Sequence, residues 1–228
     1  MVWEMPMTTT TLPAPSSSVT ETVADIARRL GDIPLSRIIM DPPPGTATEA
    51  DLLRLIEVDQ RPCEWIEGTL VEKAVGFDEG LVSSNLIRVM GEFVHARRLG
   101  AVTPGDACLR MASGNARAPD VTYISKADLP PGPRPRGAVP TLPPTIAVEV
   151  LSPGNTTAEM RIKTREFFAS GARLVWRIDR RARTVAVFHE PTDDPAMLLT
   201  DADQLDGGSA LPGFTMPVAD LFVDPLVD

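Results

Sequence analysis

Two carboxylates stand where carboxylates are costly. Asp120 follows Pro119 and opens the strand-like run Asp120-Val121-Thr122-Tyr123-Ile124-Ser125, and Glu149 lies inside Ile146-Ala147-Val148-Glu149-Val150-Leu151. Side chains alternate along a strand, so Glu149 shares a face with Ala147 and Leu151. A carboxylate on an apolar strand needs a partner, because unpaired burial is expensive or shifts the pKa. Two such strands side by side bring like charges together, and these repel unless a divalent cation holds both. The chain has only 2 His and 2 Cys, so the cation would be an oxygen-loving Mg²⁺ or Mn²⁺. The plainer alternative is that Asp120 caps a turn and Glu149 pairs with a surface arginine.

Three further features bear on the same chemistry. Lys163 sits on an apparent helix over 156–170, roughly 60° from Met160 and 40° from Phe167, at the margin of the apolar stripe. There it would orient a water or meet charge developing on a phosphate; the alternative is a lysine whose stem lies on the core and whose head reaches water. Glu79 opens a long helix, where an acid complements the helix dipole unless that end faces the two carboxylates. Arg161, Arg165, Arg173, Arg177, Arg180, Arg181 and Arg183 are either a solvated face or a surface that tracks phosphates.

The elements that would position these residues follow from local pattern. Val23, Ile26, Ala27 and Leu30 predict a short helix ending at Gly31. Thr48 with Asp51 predicts a capped helix to about Val58. CEWIE and TLVEKAV flank Gly68 as a hairpin over 63–75. Val82, Leu86, Val89, Met90, Phe93 and Val94 form the stripe of a helix over about 79–98, with Gly100 as its stop. Short strands are expected at 101–103, 107–111 and 120–125, and then the seven prolines of 130–144 impose a stiff exposed loop. A strand over 145–152, the 156–170 helix with Gly171 at its end, and strands at 173–179, 184–190 and around 197–200 complete the series. Cys63, Cys108, Trp65, Trp176, Phe167 and Phe168 read as core. The order implies an α/β fold with a mixed sheet flanked by helices. It has no glycine-rich phosphate loop, and Ser152 with His189 lacks the elbow a hydrolase triad needs.

The chain is 228 residues with a formal net charge of −9. That total speaks against a nucleic-acid partner, but its distribution does not. Residues 1–79 hold 14 acids and 6 bases, residues 80–189 hold 8 acids and 16 bases, and residues 190–228 hold 9 acids and no base. All of Asp120, Glu149 and Lys163 lie in the basic middle. The acidic end is therefore expected to lie away from the Arg161–Arg183 face, or else to govern access to it. No run is long and apolar enough to cross a membrane, and the start has no signal-peptide pattern, so a cytoplasmic setting is expected.

The runs CEWIEGTLVEKAVGFDEG, Pro119-Asp120-Val121, IAVEVLSPGNTTAEMRIKTREFFASGARLVWRID and LDGGSALPGF together resemble the Uma-two family, restriction endonucleases of the PD-(D/E)XK nuclease superfamily. The resemblance spans about residues 30–222. It implies a restriction-endonuclease-like core and Mg²⁺-dependent hydrolysis of phosphodiesters in nucleic acid, with DNA the favoured substrate. It assigns Asp120 and Glu149 as metal ligands, Lys163 as the catalytic lysine moved from strand to helix, and Glu79 as the acidic position at the start of the first long core helix. Leu151 occupies the place where the superfamily usually carries that lysine. Thr69 replaces an acid that many relatives carry, and Glu67 and Lys73 remain as outer residues. Arg161, Arg165 and Arg173 would hold the nucleic acid, and a homodimer is implied. The expected organisation is a flexible tail (1–18), an N-terminal helical extension (19–62), a nuclease-like domain (63–222) and an acidic end (223–228). The competing reading is an inactive nuclease fold that binds nucleic acid or another partner.

Overall fold

The computed structural model describes residues 21–74 and 76–227; the expected tail over 1–18 lies outside them. Among the described residues four α-helices and twelve strands follow one another in chain order. They are α1 (Val23–Arg29), α2 (Glu49–Glu57), β1 (Cys63–Ile66), β2 (Thr69–Glu72), α3 (Phe77–Arg97), β3 (Gly100–Pro104), β4 (Leu109–Arg110), β5 (Ala116–Arg117), β6 (Val121–Ser125), β7 (Ile146–Val150), α4 (Thr157–Ala169), β8 (Leu174–Asp179), β9 (Thr184–Phe188), β10 (Met197–Leu199), β11 (Gln204–Asp206) and β12 (Thr215–Pro217).

A six-stranded sheet in the order β10-β9-β8-β7-β6-β3 is the centre of the molecule. It is mixed: β7 and β8 run parallel, and every other neighbouring pair is antiparallel. A parallel pair needs a crossover, and α4 supplies it. Val82, Leu86, Met90 and Val94 of α3 cover one face, packing on Val121, Tyr123, Val148, Val150, Trp176 and Ile178. Beside α3, β11 and β12 bring Leu205, Phe214 and Met216 into the same core. Sequence patterning did not reveal these two strands, because each is only three residues long. On the other face Phe167 of α4 packs with Ala147, Val175, Ile124 and Phe188.

A second sheet, in the order β2-β1-β5-β4, carries the expected hairpin. Glu67 and Gly68 both have positive φ, +48° and +73°, which is the geometry of a two-residue turn that matches strand twist. The helical extension is joined to this sheet: Ile26, Leu30, Ile33 and Ile38 pack on Ile66 and Val71, and Leu52 and Leu55 of α2 pack on Cys63, Leu70 and Ala116.

Three local expectations need correction. Helix α3 does not end at Gly100. Arg98 takes the left-handed conformation at its C-cap, φ +55°, and Gly100 already pairs with Ser125 in β3. The proline-rich segment has no regular structure, but it is exposed only in its first part. Val139 and Leu142 are buried, and the carbonyl of Pro140 accepts from the Arg110 amide. The acidic end does not lie away from the arginine face, as described below.

Candidate active site

Three elements meet at the C-terminal end of β7. Val121 pairs with Val148 across antiparallel β6 and β7, so one step further places Asp120 opposite Glu149. The Asp120 carboxylate is anchored there, accepting at Oδ2 from the Val150 amide (2.8 Å). Its Oδ1 accepts from Lys73 Nζ at 3.0 Å. Lys73 follows β2 and also donates to the carbonyls of Gly105 (3.0 Å) and Ala118.

A cavity of about 300 Å³ opens over this point, and Lys73, Glu79, Asp106, Asp120 and Val150 line it together with Ser83 and Ser84. The first turn of α3 therefore does face the carboxylates, which gives Glu79 a place at the site beyond its favourable position at a helix start. Glu79 also lies close over Gly76: a Cβ at Gly76 would stand 2.0 Å from Glu79 Oε2.

Glu149 itself does not line the cavity. It is 4 % exposed and both oxygens accept from Lys163 Nζ, at 3.1 and 3.2 Å. Lys163 is buried as well and makes a second ion pair with Glu64 Oε1 at 3.2 Å. It is thus neither a surface-reaching lysine nor a lining of the cavity, and it ties α4 to both sheets. Glu64 also pairs with Arg117 (2.9 Å) and accepts from the Ala118 amide, and Arg117 pairs with Glu166 of α4 (2.6 Å). Asn115 and Ser113 complete the partners of Glu166. A further buried pair, Arg37 with Glu159 at 2.8 Å, clamps the N-terminal extension to α4.

The protonation balance follows from these contacts. Burial pushes Glu149 up to about 7, with Lys163 opposing that rise and the Asp120 and Glu64 charges adding to it. Burial also penalises charged Glu64, but Lys163, Arg117 and Lys73 outweigh it and hold that carboxylate well below the usual range. Burial disfavours charge on Lys163, and here Glu149 and Glu64 overcome it, so the ammonium keeps its proton above the ordinary lysine range. The pattern separates roles: Glu64 is a fixed anion of the frame, and Glu149 is the group that titrates.

The sequence reading placed Asp120, Glu149, Lys163 and Glu79 together, and the structure brings them to one region on two levels. Asp120 and Glu79 are in the cavity; Glu149 and Lys163 do not line it. Glu64, Arg117 and Glu166 escaped attention. Their signal was present in Glu64, an acid between Cys63 and Trp65 in a strand-like run, which demands a buried partner.

The arginines are a different matter. Arg161 and Arg165 reach Asp193 (3.7 and 2.7 Å), Arg183 pairs with Asp201 (2.6 Å), Arg180 with Asp78 (2.8 Å) and Arg173 with Asp128 (3.0 Å). Arg177 is buried against Thr164, the Met160 carbonyl and the Phe188 ring. Acids of the C-terminal region thus lie on this face and neutralise part of it.

A family model described as "Putative restriction endonuclease" matches residues 49–219. The chain belongs to the Uma2 family. The match starts within α2, so the Uma2 unit includes part of what sequence alone sets apart as an extension. Among solved structures, the chain is similar to a crystal structure described as "a putative nuclease belonging to DUF820" from Anabaena variabilis ATCC 29413. The TM-score is 0.62 at 18% identity, over 76% of this chain and 96% of that one, a likeness of fold. No curated protein matches. This Uma2 chain accordingly has a nuclease-like mixed α/β fold, and among the described residues no helix is long and apolar enough to cross a membrane.

Proposed function

We propose that the protein is a metal-dependent endonuclease acting on nucleic acid, with DNA the favoured substrate, and that the cavity beside Asp120 is its active site. Membership of the family supports a nuclease. The observation that carries the finer reading is the opposition of Asp120 and Glu149 on neighbouring strands under a cavity edged by Glu79.

The donor chemistry fits a hard divalent cation. All the candidates are carboxylate oxygens, and the Asp120 charge is one of the causes that raise Glu149, a repulsion that Mg²⁺ or Mn²⁺ would relieve. Asp120 and Glu149 would hold it. Among the described residues no cluster of three or more His, Cys, Asp or Glu stands ready for a metal. When bound, such a cation supplies charge neutralisation at the phosphate and a more acidic water. The chain's own residues do the rest. Lys163 and Glu64 hold Glu149 in place, the Val150 amide orients Asp120, and Lys73 puts a positive charge on the cavity wall where a phosphate oxygen would come. Glu79, on the cavity wall, would accept a proton from an attacking water.

A second reading is an inactive nuclease fold that binds nucleic acid, and one observation favours it. Lys73 sits on Asp120 and Lys163 sits on Glu149, so each carboxylate already has a cation of its own. Cleavage of plasmid DNA and of single-stranded DNA and RNA in Mg²⁺ and Mn²⁺ separates the two. The endonuclease reading expects nicking that Asp120→Asn and Glu149→Gln each lower by at least about 10²-fold, an amount consistent with loss of transition-state charge stabilisation. Failure of the wild type to cut any of these substrates in either metal would leave the second reading.

A further inference from the structure

On the Arg161–Arg183 face every arginine but Arg181 is ion-paired or buried among the described residues. A larger group of unpaired cations gathers at another edge of the central sheet. Strand β3 is the last strand of its sheet, and beside it lies a hollow of about 490 Å³ lined by Arg98, Lys126 and Arg134, with a floor of Ala101, Ile124, Leu129 and Leu142. All three cations are exposed, and none makes an ion pair among the described residues. Arg97 and Arg136 also lack an acidic partner among the described residues; Arg97 rests on the Phe93 ring instead. Asp128, two residues from Lys126, is already engaged by Arg173 and by the Thr145 hydroxyl. Arg134 is carried by the proline-rich segment, whose restricted φ angles limit how far it can fold away.

We infer that this hollow is a docking surface for a single strand of nucleic acid, with phosphates on Arg98, Lys126 and Arg134 and an unpaired base on the apolar floor. Charge complementarity selects a polyanion, because unpaired cations release counterions on binding whereas paired ones exchange one anion for another. The floor is aliphatic and offers apolar contact to the face of an unpaired base, which a duplex keeps stacked inside. Position links the surface to the cavity. Strand β3 runs from Gly100 at the hollow to Pro104, and Pro104 and Gly105 line the cavity that holds Asp120; the hollow opens on the face of the sheet that carries Ile124 and Leu142 and the cavity on the α3 face, so a chain joining them passes over the β3 edge. Four residue steps of strand are about 14 Å, a distance that a few nucleotides span. The inference thus deepens the endonuclease reading and rests on it for the direction of the strand.

The test is fluorescence-anisotropy titration of a mixed-sequence 20-nucleotide single-stranded DNA, and of the same sequence as a duplex, in EDTA over a range of salt. The variants are Arg98→Gln/Lys126→Gln/Arg134→Gln, Ala101→Glu, which places an anion on the exposed edge, and Arg161→Gln/Arg165→Gln/Arg183→Gln as the contrast. The expected result is preference for the single strand, weakened roughly tenfold or more by the first triple variant, with the slope of log K against log salt reduced by about 2. Ala101→Glu weakens binding as well, and the contrast variant does not. Unchanged affinity and slope in the first triple variant, loss of binding in the contrast variant instead, or a duplex bound more tightly than the single strand would overturn the inference. Cleavage assays on the same proteins keep the two readings apart. Binding that depends on the hollow in a protein that cuts nothing removes the endonuclease reading alone, and cutting with unchanged KM in the first triple variant removes this inference alone.

Discussion

At the scale of the residue, the site is governed by one ammonium between two buried carboxylates. Because Glu64 has Arg117 as well, Lys163 is shared unequally, and Glu149 is the member left near neutrality. Its pKa is raised from 4.5 to about 7 by burial first. Between those two values the folded protein holds a proton that the unfolded chain has released, so this group favours the fold below pH 4.5 and its contribution is lost as pH rises through 7. Thermal melts of the metal-free protein should therefore show a Glu149-dependent fall in Tm from pH 5 to 7.5, and Glu149→Gln should flatten it. If the variant and the wild type fall in parallel, Glu149 is not the titrating group. Lys163→Met removes the cation from both carboxylates and should cost about 3–5 kcal/mol, the usual penalty for stranding a buried charge. Urea unfolding measures it. Loss of cleavage in Lys163→Met then reports stability, whereas Asp120→Asn, on the cavity wall where Lys73 keeps two carbonyl partners, should lose cleavage with a smaller change in midpoint.

At the scale of the element, turns and caps hold the site residues in register. The hairpin carries Glu64 on one arm and leads into Lys73 on the other, so its turn sets both. Gly68 has φ +73°, and a Cβ there would stand 2.6 Å from the Gly45 backbone. Gly68→Ala should therefore destabilise the fold by roughly 1–3 kcal/mol, since the strain and the clash fall on backbone that has little room to yield; a midpoint within error of wild type in urea would contradict it. Helix α4 begins at the Thr156 cap, whose hydroxyl accepts from the Glu159 amide at 3.0 Å and donates to the Gly31 carbonyl. Thr156→Ala should cost about 1 kcal/mol or somewhat more. The cap at Thr48, the α3 stripe and the β7 run were legible in sequence because each depends on neighbours within a few residues. The strands β5, β11 and β12 were not, since two or three residues carry no period and form only where a partner strand receives them.

At the scale of the whole molecule, the net charge of −9 hides an arrangement in which opposite charges have found each other. Asp193 and Asp201, from the acidic end, sit on Arg161, Arg165 and Arg183. These pairs are exposed and contribute little to stability, but they decide which surface is available to a polyanion. Asp193→Asn/Asp201→Asn should leave the Tm within about 2 °C, a shift of under 0.5 kcal/mol for a chain of this size, while nucleic-acid binding gains affinity and a steeper salt dependence. An unchanged salt slope would mean that this face takes no part even when uncovered.

The residue types and spacing in the sequence were enough to nominate Asp120, Glu149, Lys163 and Glu79, and with them a mixed α/β fold, because alternation and helical period place side chains on faces without any knowledge of what lies opposite. What lies opposite is set by contacts distant in the chain. Glu64 and Lys163 are about 100 positions apart, and Lys73 and Asp120 are |i−j| = 47 apart. Only the folded chain shows that Lys163 is enclosed, that Lys73 faces the cavity, and that the acidic end covers the arginines. Burial and ion pairing are properties of a whole three-dimensional neighbourhood, and a linear pattern specifies at most one half of each pair.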